Sequence, residues 1–195
     1  RETLQRAKRS GLGNIITDYT FDKFIASDGW QKSLKDKAIK FCKDDKANWF
    51  FVGGQVGAGK THLCTAIAAH YIKEGYETQY MLWIEESKKL KALVTDYLEY
   101  QKRIEPIKDA PVLYIDDFLK TRQGEMPTQA DINLAFEIIN HRLMRDDLIT
   151  IISSEKTLGE MIECDEATMS RIFMECGEYK NVIERDRSKN YRLRG

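Results

Sequence analysis

The chain has 195 residues and carries 31 basic and 31 acidic side chains, so its formal net charge is zero. The length fits one domain, and a content of 42% hydrophobic and 32% charged residues excludes a disordered chain and a small disulfide scaffold. No apolar run approaches the roughly 20 residues that cross a bilayer, and no secretory signal opens the chain, so we predict a cytoplasmic protein without membrane contact. Zero net charge leaves any contact with nucleic acid to local basic segments.

Cysteine and histidine patterns argue against a structural metal or a disulfide framework. No cysteine pair has the spacing of a zinc site, and none of the three histidines falls at ligand spacing with a cysteine. We therefore expect reduced, mostly buried thiols at all four cysteines, which are Cys42, Cys64, Cys164 and Cys176.

The predicted elements begin after a basic lead-in, residues 1–26, in which Gly11 and Gly13 interrupt any helix. Ser27 is predicted to cap the first helix, whose apolar residues recur at helical spacing over 30–42. Further helices are predicted after the first strand up to Gly75, along the apolar stripe Leu90–Leu98, after Thr128 in a capping box with Asp131, and over 157–175. Strands are predicted at Trp49–Val52, Thr78–Trp83, Val112–Ile115, Leu148–Ile152 and Asn181–Glu184.

This alternation of strands and helices predicts an α/β fold. Parallel strands need crossover connections, so five strands separated by helices indicate a five-stranded, mainly parallel sheet with helices on both faces. Ligands of such sheets bind beyond the carboxyl ends of the strands. Residues that directly follow the strands are therefore the candidates for a functional site.

A phosphate-binding loop follows the first strand. The octapeptide Gly54–Thr61 matches G-x-x-x-x-G-K-[ST] in full and reads Gly54, Gln55, Val56, Gly57, Ala58, Gly59, Lys60 and Thr61. Glycines let the backbone aim its N–H groups at phosphate oxygens, and the next helix presents its positive N-terminus to the same anion. Lys60 is expected to reach the β- and γ-phosphates, and the Thr61 hydroxyl is expected to bind Mg²⁺.

Two aspartates follow the third strand. Asp116 stands where a second ligand to Mg²⁺ is expected, usually through water, and Asp117 is placed to orient or polarise an attacking water. Acidic residues also commonly end strands and begin turns, which is the alternative for this pair.

Two later features add candidates. Ser153, Ser154 and Glu155 follow the fourth strand, where a polar group between water and the γ-phosphate would sense hydrolysis, although an ordinary polar strand end is the alternative. Arg171 lies on a predicted helix, where an arginine is usually only a solvated charge. An arginine supplied by a neighbouring subunit accelerates nucleotide hydrolysis in other P-loop proteins, which gives Arg171 a second interpretation.

Together these motifs resemble one family of replication proteins. The phosphate loop followed by His62, the paired aspartates, the Ser-Ser strand end and the late Ser-Arg-Ile are similar to AAA+ ATPases of the initiator and loader group. The strongest likeness is to bacterial and phage replicative-helicase loaders of the DnaC and DnaI type. Their entry and ending segments resemble Tyr19–Phe24 and Lys189–Leu193, so the resemblance extends from about residue 15 to the C-terminus.

The resemblance implies an ATPase that uses ATP and Mg²⁺, works in DNA replication and hydrolyses slowly when alone. It implies phosphate and nucleotide contacts from the loop with its Lys60 and from His62, metal contacts from Thr61 and Asp116, action on water by Asp117, and an arginine finger in trans at Arg171. It also implies three partners: a replicative ring helicase, single-stranded DNA, and further copies of the chain that assemble through ATP. Residues 1–26 are then a lead-in or linker, and residues 27–195 are the AAA+ ATPase domain.

Some features depart from the family pattern. Glu155 stands where many members have a sensor asparagine, so sensing is expected to differ or to shift to Ser153 or Ser154. Asp117 is shorter than the glutamate of most members, which favours slow hydrolysis. Only 24 residues follow Arg171, which are too few for the small helical lid of most AAA+ proteins. Helicase loaders resemble this chain in lacking that lid. Because residue 1 is arginine rather than methionine, we expect a fragment or a processed product, whose N-terminal helicase-binding domain has been removed.

Two basic segments are candidates for DNA contact. Lys88, Lys89 and Lys91 follow the second strand, and the C-terminal segment carries Arg185, Arg187, Lys189, Arg192 and Arg194. A solvated helix face is the alternative for the lysines, because surface lysines are the rule.

Other functions remain open at this point. A transposition helper ATPase of the IstB type has a very similar core, and its partner would be a transposase in place of a helicase. A P-loop kinase for small molecules would need an arginine-rich lid, which the sequence does not show. A hydrolytically weak, ATP-gated binding module would also fit Asp117 and Glu155.

Overall fold

The computed structural model describes residues 2–13, 15–122 and 125–193; Arg1 and Arg194 of the predicted basic ends lie outside the described residues. The described helices are α1 (Glu2–Arg9), α2 (Ile15–Asp18), α3 (Gly29–Phe41), α4 (Lys60–Lys73), α5 (Trp83–Ala92), α6 (Tyr97–Lys108), α7 (Gln129–Leu143), α8 (Leu158–Cys164) and α9 (Glu166–Cys176). The described strands are β1 (Trp49–Gly54), β2 (Thr78–Leu82), β3 (Val112–Asp116), β4 (Ile149–Ser153) and β5 (Lys180–Ile183). Short 3-10 turns span Gly177–Tyr179, Arg187–Lys189 and Tyr191–Leu193.

The five strands form one parallel sheet in the order β2-β3-β4-β1-β5. Val52 of β1 pairs with Ser153 of β4, and Leu82 of β2 pairs with Asp116 of β3. The carboxyl ends therefore share one edge, where the phosphate loop, Asp116 and Ser153 meet. The predicted α/β fold with a five-stranded parallel sheet is confirmed.

A hydrophobic core lies on each face of the sheet, and β1 supplies both in alternation. Trp49 and Phe51 enter the core covered by α5 to α9, whereas Phe50 and Val52 enter the core covered by α1, α3 and α4. All four side chains are at most 3% exposed. Burial on both faces explains why this strand is apolar without interruption.

The segment before α3 packs against the same core as α4. Ala7 of α1, Leu12 and Phe24 are buried there. The backbone N–H of Tyr80 donates to the carbonyl oxygen of Ser10 at 2.7 Å, which fastens this segment to strand β2 at the sheet edge. The lead-in thus contributes directly to the surroundings of the phosphate loop.

The helix predicted along Leu90–Leu98 is wrong, because the structure has two helices there. The first, α5, ends at Ala92, and α6 begins after Asp96, whose side chain accepts a hydrogen bond from the backbone N–H of Glu99. Such an N-cap starts a new helix and interrupts the old one. The apolar residues around this break are exposed on the surface: Val94, Tyr97 and Leu98.

Smaller boundaries differ for local reasons. Asp28, not Ser27, is the N-cap of α3, where it forms a capping box with Gln31. Trp83 opens α5 and does not end β2. The predicted capping box of Thr128 with Asp131 is confirmed.

Beyond β5, the structure shows no α-helix in the residues described up to 193, so this part of the chain carries no helical lid. Among the described helices, none combines the length and the apolar character needed to cross a membrane.

Candidate nucleotide site

The phosphate loop, Gly54–Thr61, leaves β1 and enters α4 through glycines in left-handed conformations. The φ angles of Gly54 and Gly57 are +100° and +70°. A Cβ on Gly54 would lie 2.0 Å from the carbonyl oxygen of Ile183, and one on Gly57 would lie 1.9 Å from Oδ1 of Asn190. Gly54 therefore requires glycine, because its conformation and the backbone of Ile183 each exclude a side chain, whereas at Gly57 the left-handed conformation is the reason for glycine.

Lys60 is buried at the first turn of α4. Its ammonium donates to the carbonyl oxygens of Gly54 at 2.9 Å and Gln55 at 2.6 Å. Burial lowers the pKa of Lys60 from 10.5 to about 8, against the opposing effect of Glu155 and the two aspartates. The loop thus holds a poorly hydrated cation that a phosphate group would stabilise.

Asp116 is the hub of the site's hydrogen bonds. Its Oδ1 accepts from the hydroxyl of Thr61 at 3.2 Å and from the hydroxyl of Ser153, and its Oδ2 accepts from Tyr80 at 3.0 Å. Burial and this carboxylate raise the pKa of Tyr80, so the phenol stays a donor at neutral pH. The predicted pair of Thr61 and Asp116 is therefore brought together by β3 and α4.

These oxygens fit Mg²⁺, which prefers hydroxyl and carboxylate ligands together with phosphate oxygens. Thr61 and Asp116 supply one of each within 3.2 Å. Within the described ranges, no group of three or more His, Cys, Asp or Glu side chains could hold a metal ion by itself. Thr61 and Asp116 would therefore supply only part of the ligands of Mg²⁺, and phosphate oxygens and water would supply the rest.

Asp117 has a left-handed backbone, with φ of 55°, and carries an ion pair. Nζ of Lys120 donates to Oδ2 of Asp117 and to Oε1 of Glu155, both at 2.9 Å. Burial opposes the charge of Lys120, but the hydrogen bonds that its ammonium donates to the two carboxylates outweigh burial and raise the pKa of the lysine. The predicted water-activating carboxylate is therefore engaged by a cation.

The three sensor candidates lie in different surroundings. Ser153 supports Asp116 and also accepts a hydrogen bond from the backbone N–H of Asp117 at 3.2 Å. Ser154 is fully buried and donates to the carbonyl oxygen of Phe118 at 2.9 Å. Only Glu155 among the three lines the cavity of the site as described.

A cavity of about 340 Å³ opens over the phosphate loop. Most of the predicted loop contacts line it, namely Gly57, Ala58, Gly59, Lys60, Thr61 and His62, and it also reaches Asp117, Lys120 and Glu155. Gly54, Gln55 and Val56 lie outside that lining. Gln55 accepts a hydrogen bond from the backbone N–H of Asp186 at 2.8 Å, so this part of the loop faces the C-terminal segment.

The other end of the cavity is aromatic. Tyr19 stacks on His62 with ring centroids 4.8 Å apart, and Phe24 meets the same imidazole edge-on at 5.3 Å. Tyr191 also lines the cavity: its backbone N–H donates to the carbonyl oxygen of Gly57 at 2.9 Å, and its hydroxyl donates to the carbonyl oxygen of Ile25 at 2.7 Å. Aromatic side chains of this kind offer flat surfaces on which another ring can stack.

Arg171 is not part of this cavity. It lies exposed on α9 and donates to Oδ1 of Asn140 on α7 at 3.0 Å. Within one copy of the chain, the structure does not bring Arg171 to the phosphate loop.

The lysines predicted to touch DNA differ in their contacts. Lys91 forms an ion pair with Asp131, the residue that completes the capping box of α7. Lys89 lies 3.6 Å from Glu86, and Lys88 is exposed. Lys91 is thus tied to the fold, whereas Lys88 and Lys89 point outward from α5.

The sequence interpretation missed Lys120, Tyr80 and the aromatic lining from Tyr191. Lys120 follows the paired aspartates closely, and this spacing was its one local signal. Tyr80 gave no signal, because its contact with Asp116 depends on the pairing of β2 with β3.

Comparison with known proteins finds a family and several relatives. The model of a family described as the bacterial DnaA ATPase domain matches residues 15–177. The alignment with the uncharacterised protein YqaM of Bacillus subtilis spans 196 positions at 31% identity, and it covers 94% of this chain and 61% of YqaM. The chain thus spans about three fifths of the length of that relative.

Two solved structures with similar backbones belong to replication proteins. The DnaC helicase loader superposes with a TM-score of 0.67 at 20% identity, covering 89% of this chain and 100% of the loader chain. A replication initiator DnaA bound to AMPPCP and single-stranded DNA superposes with the same score at 20% identity, covering 87% of this chain and 50% of the initiator. At this level of identity, the likeness establishes the fold.

Proposed function

The chain belongs to the bacterial DnaA ATPase-domain family, and from that premise we propose that it binds ATP with Mg²⁺ and hydrolyses the ATP to ADP and phosphate. The predicted membership of an AAA+ replication-ATPase group is confirmed at the level of family and fold. One observation carries the proposal: Thr61 and Asp116 meet at 3.2 Å beside the buried Lys60.

In the proposed reaction, the N-terminus of α4 and Lys60 bind the phosphates, as helix dipoles and buried cations bind anions elsewhere. Thr61 and Asp116 would hold Mg²⁺, which neutralises charge on the phosphate oxygens when bound. Asp117 accepts a proton from the water that attacks the γ-phosphorus, and the bond to the ADP oxygen breaks. Ser153 and Tyr80 keep Asp116 oriented through their hydrogen bonds.

The base of the nucleotide fits the aromatic end of the cavity. Phe24, Tyr191 and His62 supply apolar ring surface about the phosphate loop. A purine ring stacked there would place the triphosphate over Lys60. The lead-in and the C-terminal segment thereby become parts of the nucleotide site.

Self-association through ATP is supported by the surroundings of Arg171. Its partner Asn140 lies on α7, where Phe136 comes one turn before it and Met144, the C-cap of the helix, comes one turn after it. On α9, Met174 lies one turn beyond Arg171. These three apolar side chains are exposed to 47%, 79% and 71%. Exposed apolar groups around a cation suit a contact in which Arg171 reaches the ATP of a second copy.

We further propose that the protein loads a replicative ring helicase onto single-stranded DNA. The support is the shared fold with a helicase loader and with an initiator bound to single-stranded DNA. Because the chain spans about three fifths of the length of YqaM, the loader function is proposed for the whole protein.

The test measures phosphate release and helicase capture by the full-length protein with Mg²⁺-ATP and single-stranded DNA. We expect ATP-dependent capture of a purified ring helicase from the same host and phosphate release above background. Capture of a transposase in place of the helicase would favour the IstB-like alternative. Absence of phosphate release in the assembled state would overturn the proposed hydrolysis.

A further inference from the structure

Lys120 is a cation of the cavity that the phosphate-loop and paired-aspartate motifs leave unexplained. It follows β3, and its ammonium bridges Asp117 to Glu155 with two contacts of 2.9 Å. The two carboxylates follow neighbouring strands, β3 and β4. The lysine therefore closes an ion bridge across the carboxyl edge of the sheet.

The turn that carries Lys120 is held firmly in place. Asp117 and Leu119 both have left-handed backbones with φ of 55°, on either side of the fully buried Phe118. The N–H of Phe118 donates to the carbonyl oxygen of Ser153 at 2.8 Å. Two left-handed residues without glycine are costly and persist where the surroundings impose them, often at functional sites. This backbone aims Lys120 back onto Asp117.

The ion bridge is accessible from the cavity. Lys120, Asp117 and Glu155 all line the cavity together with Lys60, and the side chains of the bridge remain 22–31% exposed. A γ-phosphate held by Lys60 would bring a doubly charged anion into the same space. Lysine carries a compact charge on a flexible stem, so its ammonium can exchange a carboxylate for a phosphate without a change of backbone.

We propose that Lys120 binds the γ-phosphate and thereby releases Asp117. A triphosphate draws the ammonium from Asp117, whose carboxylate then becomes free to accept the proton of the attacking water. A diphosphate does not reach the lysine, so Asp117 stays paired and the site stays inactive. Glu155 anchors the lysine in both states. This inference deepens the proposed function and rests on it, because it needs a nucleotide in this cavity.

The experiment compares affinities for Mg²⁺-AMPPCP and Mg²⁺-ADP by calorimetry in the full-length protein. For Lys120→Met we expect triphosphate affinity to fall by about tenfold or more, the scale of one lost charge-assisted hydrogen bond, with ADP affinity unchanged. Lys120→Arg keeps the charge and should restore the triphosphate preference. The matched control is Lys108→Met, at a part-buried lysine paired with Glu137 far from the site, which should change neither affinity.

Kinetics supply a second measurement. Lys120→Met should raise KM for ATP, because the γ-phosphate loses a contact, whereas kcat should fall less, because Asp117 is then unpaired in every state. Glu155→Gln keeps the Lys120 ammonium but weakens the contact that anchors it. The effect of Glu155→Gln on triphosphate affinity should therefore largely vanish when Lys120→Met is also present. If Lys120→Met loses affinity for AMPPCP and ADP equally, or for neither, this inference is overturned and the proposed function is unaffected. If the wild type binds neither nucleotide, the proposed function and this inference both fall.

Discussion

The hydroxyl of Thr61 donates to Oδ1 of Asp116 at 3.2 Å, although 55 positions separate them in the chain. The contact exists because α4 begins beside the carboxyl end of β3 in a parallel sheet. Ser153 of β4 donates to the same oxygen and Tyr80 of β2 donates to Oδ2, so three neighbouring segments fix one carboxylate. Each group of the proposed metal site is thus positioned by a different element, and each can be removed separately.

Removal of the Lys60 ammonium should strongly weaken nucleotide binding. Its charge is buried and is turned toward the carbonyl oxygens of the phosphate loop, next to the cavity. We expect Lys60→Ala to weaken ATP binding by roughly 100-fold or more, the scale of two lost charge-assisted hydrogen bonds. Calorimetry with ATP measures this. Lys73→Ala, at the exposed far end of α4, is the control and should bind as the wild type does.

Loss of one charge at Asp116 should separate metal binding from nucleotide binding. Asp116→Asn preserves the shape of the side chain but lacks the anionic oxygen that Thr61, Ser153 and Tyr80 hold in place. We expect Mg²⁺ affinity in the presence of ATP to fall about 10- to 100-fold, with ADP binding in EDTA retained. Titration of ATPase activity with Mg²⁺ reports the change. An unchanged Mg²⁺ requirement would contradict the assignment, and Asp36→Asn on the exposed face of α3 is the control.

The sequence was most informative where function depends on consecutive residues. The phosphate loop could be predicted because glycine, lysine and threonine must stand at fixed offsets within Gly54–Thr61. The break between α5 and α6 was missed because the apolar spacing continues through it, although Asp96 caps a new helix. The contacts of Tyr80 and Lys120 were also missed. They join separate strand ends, and no local pattern records which strands are neighbours.

Arg171 should matter for hydrolysis but not for binding by a single copy. It lies outside the cavity and contacts Asn140, so its removal leaves the local site intact. If it reaches the ATP of a second copy, Arg171→Ala should lower phosphate release in the assembled state by about 10³-fold, the effect of an arginine finger. The nucleotide affinity of the Arg171→Ala monomer should stay within about twofold of the wild-type value, because Arg171 does not line the cavity. Arg9→Ala on the exposed face of α1 is the control, and normal hydrolysis by assembled Arg171→Ala would exclude the finger assignment.

Acid should destabilise the protein partly through Asp131. Burial alone would raise the pKa of Asp131, but hydrogen bonds from Lys91 and Thr128 outweigh burial and lower the pKa below its usual 3.8. A folded-state pKa below the unfolded value stabilises the fold above pH 3.8, and this stabilisation is lost as the pH falls through the folded-state pKa. Asp131→Asn should therefore lower the free energy of unfolding by roughly 1–3 kcal/mol at pH 7 and by less at pH 3.

Urea unfolding at the two pH values tests this expectation. Asp45→Asn, at an exposed carboxylate, is the control and should change stability little at either pH. A destabilisation by Asp131→Asn that is as large at pH 3 as at pH 7 would show that charge is not its source.

Lys88 and Lys89 should carry the DNA contact of α5, if this helix makes one. Both are exposed, whereas Lys91 is bound to Asp131 and its removal would disturb the cap of α7. For Lys88→Ala with Lys89→Ala, we expect weaker binding of single-stranded DNA. The slope of log affinity against log salt concentration should become shallower by about 1.4, because each of the two lost phosphate contacts contributes roughly 0.7. Fluorescence anisotropy at several salt concentrations measures the slope. The matched control is Lys43→Ala with Lys46→Ala. These two exposed lysines precede β1 and therefore lie toward the amino ends of the strands, away from the phosphate loop. An equal slope for the wild type and the α5 variant would remove these lysines from the DNA interface, because each phosphate contact releases counterions that the slope must record.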